Sequence, residues 1–382
     1  MCLINYEHSI RFWEEWIIAK LTVCVKSIRE LIGSRKEKLG GSVKICAVVK
    51  ANAYGFGMVQ VAKSIERDVD YFAVARVSEL ECLRRARIAK PVVILSRVSK
   101  DVDIAKAIRS SGEIAVQSAE DLRKVNRIAS AMKTIAKVHI KVDTGMNRFG
   151  VKSMVDFKKI LGECKKSFNV DFVGLFSHFA CASDEKSMER QSSRFEEFVR
   201  EAKRQGFSPT CHIASSKASS NPKFAFDMVR LGIDLYELDG AINFSGEILD
   251  IRKLCRGEAI GYDGAFVAKR DMRVAVVGIG YGDIAVRRLS NCGQVLIGGQ
   301  KCNIVGNICM DCLFADVTDL DEDLAGKDAV LFGSQGKNSI SVCEVAEKCD
   351  TISYEILSSM TGRVKREFNL CKSSQENTER EN

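Results

Sequence analysis

Short apolar runs alternate with longer charged stretches over the first 237 or so residues of the chain. The runs are rich in valine and isoleucine, whereas the stretches between them carry apolar residues at helical spacing. An example of such a stretch is SAEDLRKVNRIASAM at residues 118–132. The apolar runs lie at residues 44–50, 71–75, 91–96, 113–117, 137–143, 170–178, 210–214 and 228–236.

Eight buried strands joined by helical crossovers predict a parallel (β/α)8 barrel. An open, doubly wound parallel sheet is the alternative that the periodicity leaves open. After about residue 240 the strand-like runs come closer together and glycines separate them, which predicts a second, mostly β domain. We therefore expect an α/β protein with a barrel at residues 1–237, a β domain at 238–370 and a disordered polar tail at 371–382.

Composition and charge exclude several classes of protein. No run of about 18 uncharged apolar residues predicts a membrane span, and the acidic residues near the start do not fit a signal peptide, so a cytoplasmic protein is expected. The net charge is +8, but the basic residues are interleaved with 50 acidic ones and accompany no nucleic-acid motif. We expect a solvated basic surface and no nucleic-acid partner.

The 15 cysteines are scattered along the chain and are expected to be reduced, mostly as small core residues. One C-x-x-C pair, Cys309 and Cys312, has no second pair or nearby histidine to complete a zinc site. No metal is expected.

Polar residues with useful chemistry follow the predicted barrel strands, where the active sites of such barrels lie. Lys50 ends the first apolar run, and burial there would lower its pKa and leave a neutral, nucleophilic amine. Arg148 and His178 follow the fifth and sixth runs, Ser216 follows the seventh, and Arg230 lies in the eighth. Each alone has a structural explanation, such as a capping serine or a satisfied core histidine. Together they predict a site for an anionic, phosphorylated cofactor.

The phosphate would lie at the loops after the seventh and eighth strands, where such barrels commonly bind phosphate. Ser216 offers a hydroxyl there, and the backbone N–H groups near Gly232 and Ile233 offer an anion cradle. Gly232 also permits close approach of the backbone.

Seven segments, taken in order, resemble the alanine racemase family over roughly residues 40 to 368. They are AVVKANAYGFG (47–57), KVDTGMNRFG (141–150), SHFACASDE (177–185), VRLGIDLY (229–236), GIGYGD (278–283), VGNICMDCLFADVTD (305–319) and SYEIL (353–357). The resemblance implies interconversion of L- and D-alanine with pyridoxal 5′-phosphate (PLP), supplying D-alanine for cell-wall peptidoglycan.

The same resemblance implies roles for residues of the barrel. Lys50 would bind PLP covalently and Arg230 would face its pyridine nitrogen, with His178 packed beside Arg230. Arg148 would lie near the cofactor and the substrate carboxylate, and Lys141 would support Arg148. The phosphate would be held by Tyr54, Ser216, Gly232, Ile233 and Tyr354.

In the second domain, Tyr262 matches the family's catalytic tyrosine, and Met310 with Asp311 matches a motif near the substrate carboxylate. Two bases on opposite faces of the α-carbon, Lys50 and Tyr262, would then exchange its proton. The family arrangement implies a homodimer whose active sites are shared between subunits.

The sequence departs from the family pattern at several positions near these motifs. Phe56, Ser215, Leu231 and Glu237 stand where histidine, asparagine, proline and glycine are usual, which marks a divergent member. The alternatives are a racemase for serine or another amino acid on the same scaffold and a PLP-binding protein without catalysis. Arg230 argues against a PLP decarboxylase, in which a carboxylate would be expected at that place.

Overall fold

The computed structural model describes residues 19–238, 240–320 and 323–369. The chain forms two units, one comprising Ile28–Tyr236 and the other the described residues before and after that range. The tail predicted to be disordered, 371–382, lies outside the described residues.

The first unit is built on a ring of parallel strands, as the eight apolar runs predicted. In the sheet the first seven strands pair in sequence order, and the first also pairs with the eighth. Strand interiors are buried on both faces, which explains why the runs are continuously apolar. The strands are Lys44–Val48, Tyr71–Val74, Val92–Ile94, Gly112–Val116, Ala136–Lys141, Val170–Phe176, Thr210–His212 and Met228–Leu231.

The seventh and eighth strands meet and close the ring. The backbone N–H of Arg230 donates to the carbonyl of Ala214 at 3.1 Å, and Asp227 N–H donates to Cys211 at 3.0 Å. The barrel prediction is therefore confirmed, and the open doubly wound sheet is wrong.

Amphipathic helices cover the outside of the barrel strands. After the seventh and eighth strands only short 3₁₀ turns occur, and the helix Val25–Leu39 reaches the last loop through an Arg35–Asp234 ion pair of 3.0 Å. The other helices are Met58–Ile65, Val77–Arg85, Asp101–Arg109, Ala119–Ala131, Met154–Lys166 and Glu185–Arg204.

The second unit is mostly β, as predicted. A nine-stranded sheet contains Ala19–Cys24, Ile242–Leu254, Met272–Val277, Gln294–Ile297, Gln300–Asn303, Leu313–Asp316, Asp328–Gln335, Asn338–Ile340 and Lys365–Asn369. A two-stranded ribbon pairs Ala259–Ile260 with Phe266–Val267, and the described helices here are Val342–Lys348 and Ser353–Ser358.

The start of the chain differs from the predicted domain boundary. The barrel was expected from residue 1, but Ala19–Cys24 pairs antiparallel with Ile242–Leu254 and parallel with Lys365–Asn369. Alternate residues Ala19, Leu21 and Val23 are buried there, so the strand completes the sheet of the second unit.

None of the helices in the described part of the chain is both long and apolar enough to cross a membrane.

Packing between helices of the barrel should dominate its stability. Phe157 is fully buried and lies edge-on to Phe198, with ring centroids 5.1 Å apart. We expect Phe157→Ala to lower the free energy of unfolding by about 3–5 kcal/mol, because it leaves a cavity. Phe168→Ala is the matched control, since Phe168 is 89% exposed. Urea denaturation followed by circular dichroism measures both, and equal losses would contradict this assignment of the core.

Candidate active site

Lys50 follows the first barrel strand and begins a segment of unusual backbone. Ala51, Asn52, Ala53 and Tyr54 all have left-handed dihedral angles, with φ between 52° and 54°. Non-glycine residues avoid this region at a cost of roughly 1–2 kcal/mol each. A strained backbone directly after a candidate nucleophile is typical of a functional site.

Neighbouring side chains hold this left-handed segment in place. Glu79 Oε1 accepts from the Ala51 N–H at 2.7 Å, and Asn52 Oδ1 accepts from the Met58 N–H at 2.9 Å. The Tyr54 ring stacks on Tyr236 at 4.8 Å. Phe56, one of the departures from the family pattern, is fully buried and packs against Tyr236, so it belongs to the same support.

The loops after the seventh and eighth strands, where an anion cradle was predicted, are joined by a hydrogen bond that uses the Gly232 N–H. Ser216 Oγ accepts from the Gly232 N–H at 2.8 Å, so the serine's own hydroxyl proton can be donated to a phosphate oxygen. A Cβ at position 232 would lie 2.6 Å from the Tyr54 hydroxyl, which means that only glycine leaves this space. Ile233 follows at once and is buried.

Arg230 is a buried cation, only 3% exposed. Its Nη1 donates to His212 Nδ1 at 2.5 Å, and its Nη2 donates to the carbonyls of Ser177 at 2.8 Å and Ile213 at 2.9 Å. His178 Nδ1 lies 3.2 Å from Nη2. The expected neighbourhood of His178 and Arg230 is therefore present in the structure.

Arg148 and Lys141 lie at the end of the fifth strand. Asp143 Oδ1 accepts from the N–H groups of Gly145 and Asn147, both at 3.0 Å, and so shapes the loop that presents the exposed Arg148. The Lys141 amine lies over the rings of Phe149 and Phe176, at 5.4 and 5.3 Å.

Several positive charges share this rim of the barrel and perturb one another. Burial, followed by the charge of Arg148, lowers the pKa of Lys50, although Glu79 opposes the shift. Burial and the same arginine lower the pKa of Lys141 to about 8. Burial, with Arg230 next, lowers the pKa of His178 to about 3, so its ring is neutral. The rim thus offers an amine with a lowered pKa in a field that attracts anions.

Three buried polar residues of the barrel were not singled out from the sequence. Glu113, His139 and His212 are at most 2% exposed and hydrogen-bond in a row that ends at Arg230. The available signal was a glutamate or a histidine within each of three apolar runs, EIAVQ, KVHIKVD and TCHIA.

Four of the predicted residues lie in the second unit: Tyr262, Met310, Asp311 and Tyr354. The side chains of Tyr262, Met310 and Tyr354 are 68%, 52% and 44% exposed. Asn307 Nδ2 donates to the Tyr262 carbonyl at 3.1 Å, which ties the tyrosine to the segment that leads to Met310. Asp311 pairs with Arg363 at 2.7 Å.

The Met310 loop is held by its backbone. The Gly282 N–H donates to the Met310 carbonyl at 2.8 Å, and a Cβ at Gly280 would overlap that carbonyl. The glycines of GIGYGD therefore allow two loops to lie against each other.

Within the described residues, no group of three or more His, Cys, Asp or Glu side chains could hold a metal ion.

Two family models match the chain and together cover most of it. The model described as "Alanine racemase, N-terminal domain" matches residues 23–239, and "Alanine racemase, C-terminal domain" matches residues 241–368.

Individual relatives agree with these models. The chain is 35% identical over 360 residues to alanine racemase 2 of Caldanaerobacter subterraneus, covering 90% of this chain and 91% of that one. The Bacillus anthracis alanine racemase with bound L-Ala-P is 30% identical, with a TM-score of 0.85 over 92% of this chain and 95% of that one. The Bartonella henselae alanine racemase with covalently bound pyridoxal phosphate is 26% identical, with a TM-score of 0.82 over 92% of this chain and 99% of that one.

Because its pKa is lowered, Lys50 should be acylated by an amine-reactive reagent at lower pH than ordinary lysines. In the cofactor-free protein, limiting acetic anhydride should label Lys50 at lower pH than exposed lysines, since its neutral form appears at lower pH. Arg148→Gln should move the labelling midpoint to higher pH, because a positive neighbour is removed. Mass spectrometry of peptides measures both.

The control for that experiment is Arg97→Gln, which removes an arginine paired with Asp121 instead. A shift of the same size in both variants would refute a local effect of Arg148.

Proposed function

Because the chain belongs to the alanine racemase family, we propose that it interconverts L-alanine and D-alanine with PLP as cofactor. A cytoplasmic site of action, with D-alanine passing into peptidoglycan, belongs to the same proposal.

One observation carries most of this proposal: Lys50, whose pKa is lowered, belongs to the same barrel end as the Ser216 hydroxyl and the buried Arg230. The neutral form of an amine reacts with the aldehyde of PLP, and a lowered pKa makes more of that form available. The Ser216 hydroxyl and the space beside Gly232 suit the cofactor's phosphate, and Tyr54 adjoins that space. The residues present therefore fit PLP.

The other predicted contacts complete the binding site in this proposal. Ile233 and Tyr354 also bind the phosphate. Arg148 and the Met310 backbone bind the substrate carboxylate. Lys141 and Asp311 help to position the residues that make those contacts.

PLP, when bound, supplies an electron sink that acidifies the α-C–H bond of the amino acid. The chain's own task is to move a proton at each face of that carbon. Lys50 holds it at Nζ on one face and Tyr262 holds it at Oη on the other. Removal by one and return by the other inverts the configuration.

Arg230 restricts the reaction at the pyridine nitrogen that it would face. Burial lowers the pKa of Arg230 to about 10, so the guanidinium still keeps its protons at neutral pH. It has five donors and no acceptor. It therefore donates a hydrogen bond without passing a proton, which limits the electron sink and disfavours side reactions.

A homodimer with shared sites is part of the proposal. Tyr262, Met310 and Tyr354 are strongly exposed in the single chain, although apolar and aromatic residues that handle substrate need to be desolvated. Contact with the barrel of a second subunit would cover them. Each site would then take Lys50 from one subunit and Tyr262 from the other.

Racemisation assays test the activity. With added PLP we expect conversion of L-alanine well above that of L-serine and L-lysine, and none by Lys50→Ala. Tyr262→Phe should lower kcat about 10²- to 10⁴-fold, the usual contribution of a positioned proton-transfer group. Because Lys50 remains, that variant should still exchange the α-proton of one enantiomer with D₂O.

Tyr71→Phe is the matched control, since Tyr71 begins the second barrel strand, away from the catalytic rim. Cofactor absorbance lost in Lys50→Ala, without conversion of any amino acid by the wild type, would instead indicate a PLP-binding protein. Faster conversion of serine would indicate a serine racemase.

Mixing two inactive variants tests the shared site. Random exchange of Lys50→Ala and Tyr262→Phe subunits makes half of the dimers mixed, and each mixed dimer has one intact site. We expect about a quarter of wild-type activity to return at equal amounts. Persistent inactivity, with subunit exchange verified by mass spectrometry, would place both groups of each site in one chain.

A further inference from the structure

A row of four polar side chains crosses the interior of the barrel below the catalytic rim. Glu113 Oε2 lies 2.7 Å from His139 Nε2, His139 Nδ1 lies 3.0 Å from His212 Nε2, and His212 Nδ1 lies 2.5 Å from Arg230 Nη1. All four residues are between 0% and 3% exposed. They come from the fourth, fifth, seventh and eighth strands, so the row connects distant parts of the ring.

The protons in this row can be placed from its Arg230 end. A guanidinium only donates, so His212 Nδ1 must accept and carries no proton. Burial and the charge of Arg230 hold the pKa of His212 well below its usual value, so the ring is neutral and its proton lies on Nε2. His139 Nδ1 must then accept a hydrogen bond from the His212 Nε2–H, which leaves the proton of His139 on Nε2. The row therefore ends with His139 donating to Glu113.

Reversing the row is unfavourable for a simple reason. If the proton of His139 were on Nδ1, that N–H would donate to His212 Nε2. His212 would then carry its own proton on Nδ1. Two donors, His212 Nδ1–H and Arg230 Nη1–H, would then face each other at 2.5 Å in a buried site. Glu113 adds to this preference, because it accepts from the His139 Nε2–H that the favoured direction leaves at the far end of the row.

Glu113 is connected to Arg230 through the two imidazoles. Among the described residues, every side-chain hydrogen bond of Arg230 goes to a carbonyl or an imidazole nitrogen, and none goes to a carboxylate. The Glu113 carboxyl group is therefore the acidic end of a chain of hydrogen bonds, and the members of such a chain polarise one another.

The surrounding packing is shaped to keep these rings in place. A Cβ on Gly174 would overlap the His139 ring, so the sixth strand leaves room for that histidine only by having glycine there. Phe176, on the same strand, stacks on His212 with centroids 5.1 Å apart and planes 5° from parallel. Neither ring can turn without displacing a neighbour.

We infer that Glu113 and His139 are positioning residues that lock His212 in the Nε2–H tautomer and so hold Arg230 in one orientation. With its Nη1 and Nη2 hydrogens used, the arginine keeps Nε–H as its remaining donor for the cofactor nitrogen. The cofactor part of this inference rests on the proposed function, whereas the tautomer lock does not.

Nitrogen-15 NMR of histidine measures the lock directly in the full-length protein, with and without PLP. The chain has only 4 histidines, so single substitutions assign the signals. At neutral pH we expect His139 and His212 each to have Nε2 protonated and Nδ1 unprotonated. Protonated Nδ1 on His212 in the wild type would overturn the inference without any variant.

Two substitutions at position 113 separate the acceptor from the charge. Glu113→Gln keeps an oxygen that can accept from His139, so the tautomers should persist. Glu113→Leu leaves the buried His139 Nε2–H without an acceptor, so the preference for this direction weakens and both histidines should show part of the other tautomer. Asp121→Asn, which changes another buried carboxylate of the barrel, is the control and should leave both rings unchanged. Unchanged tautomers in a folded Glu113→Leu protein would refute the lock.

The loaded enzyme provides the second measurement. Glu113→Leu should lower kcat for alanine about tenfold or more with little change in KM, and Glu113→Gln should recover part of that loss. If the tautomers are as expected but the wild type racemises nothing, the proposed function fails and the lock stands. Altered tautomers with unchanged kcat would show that the row does not position Arg230.

Discussion

The buried charge of Arg230 is the constraint on which the interior of the barrel depends. A guanidinium that is 3% exposed must have nearly every donor matched, because an unpaired buried donor costs about 1–3 kcal/mol or more. The carbonyls of Ser177 and Ile213 meet part of this need, since they lie where the sixth and seventh strands end. The imidazoles of His178 and His212 meet the rest.

That charge also contributes to the electrostatics of the barrel rim. Burial is the main cause of the lowered pKa of Lys50, and the charges of Arg148 and Arg230 lower it further. A lysine without charged neighbours stays protonated if its amine reaches solvent. Here the neighbouring arginines disfavour the protonated form. The same field favours an anionic ligand, so the features that make the amine nucleophilic also recruit a phosphorylated cofactor.

Much of this could be read from the sequence because it is local. The eight barrel strands are continuous apolar runs, and Lys50 and Ser216 follow the first and seventh of them, so their place at that end of the barrel follows from topology alone. Ala19–Cys24 was missed as part of the second unit because its partners are more than 200 residues away. The role of Glu113 was also hidden, because one acidic residue in an apolar run does not reveal its partner.

The left-handed segment after Lys50 shows why such a site needs a rigid scaffold. Four residues at about 1–2 kcal/mol each represent a strain comparable to a large part of a domain's net stability. Hydrogen bonds to Glu79 and Asn52 offset part of it, and the stack of Tyr54 on Tyr236 fixes the far end. Relaxing this turn to ordinary dihedral angles would move the Tyr54 hydroxyl away from Gly232. The strain therefore fixes the position of the Tyr54 hydroxyl beside Gly232 relative to Lys50.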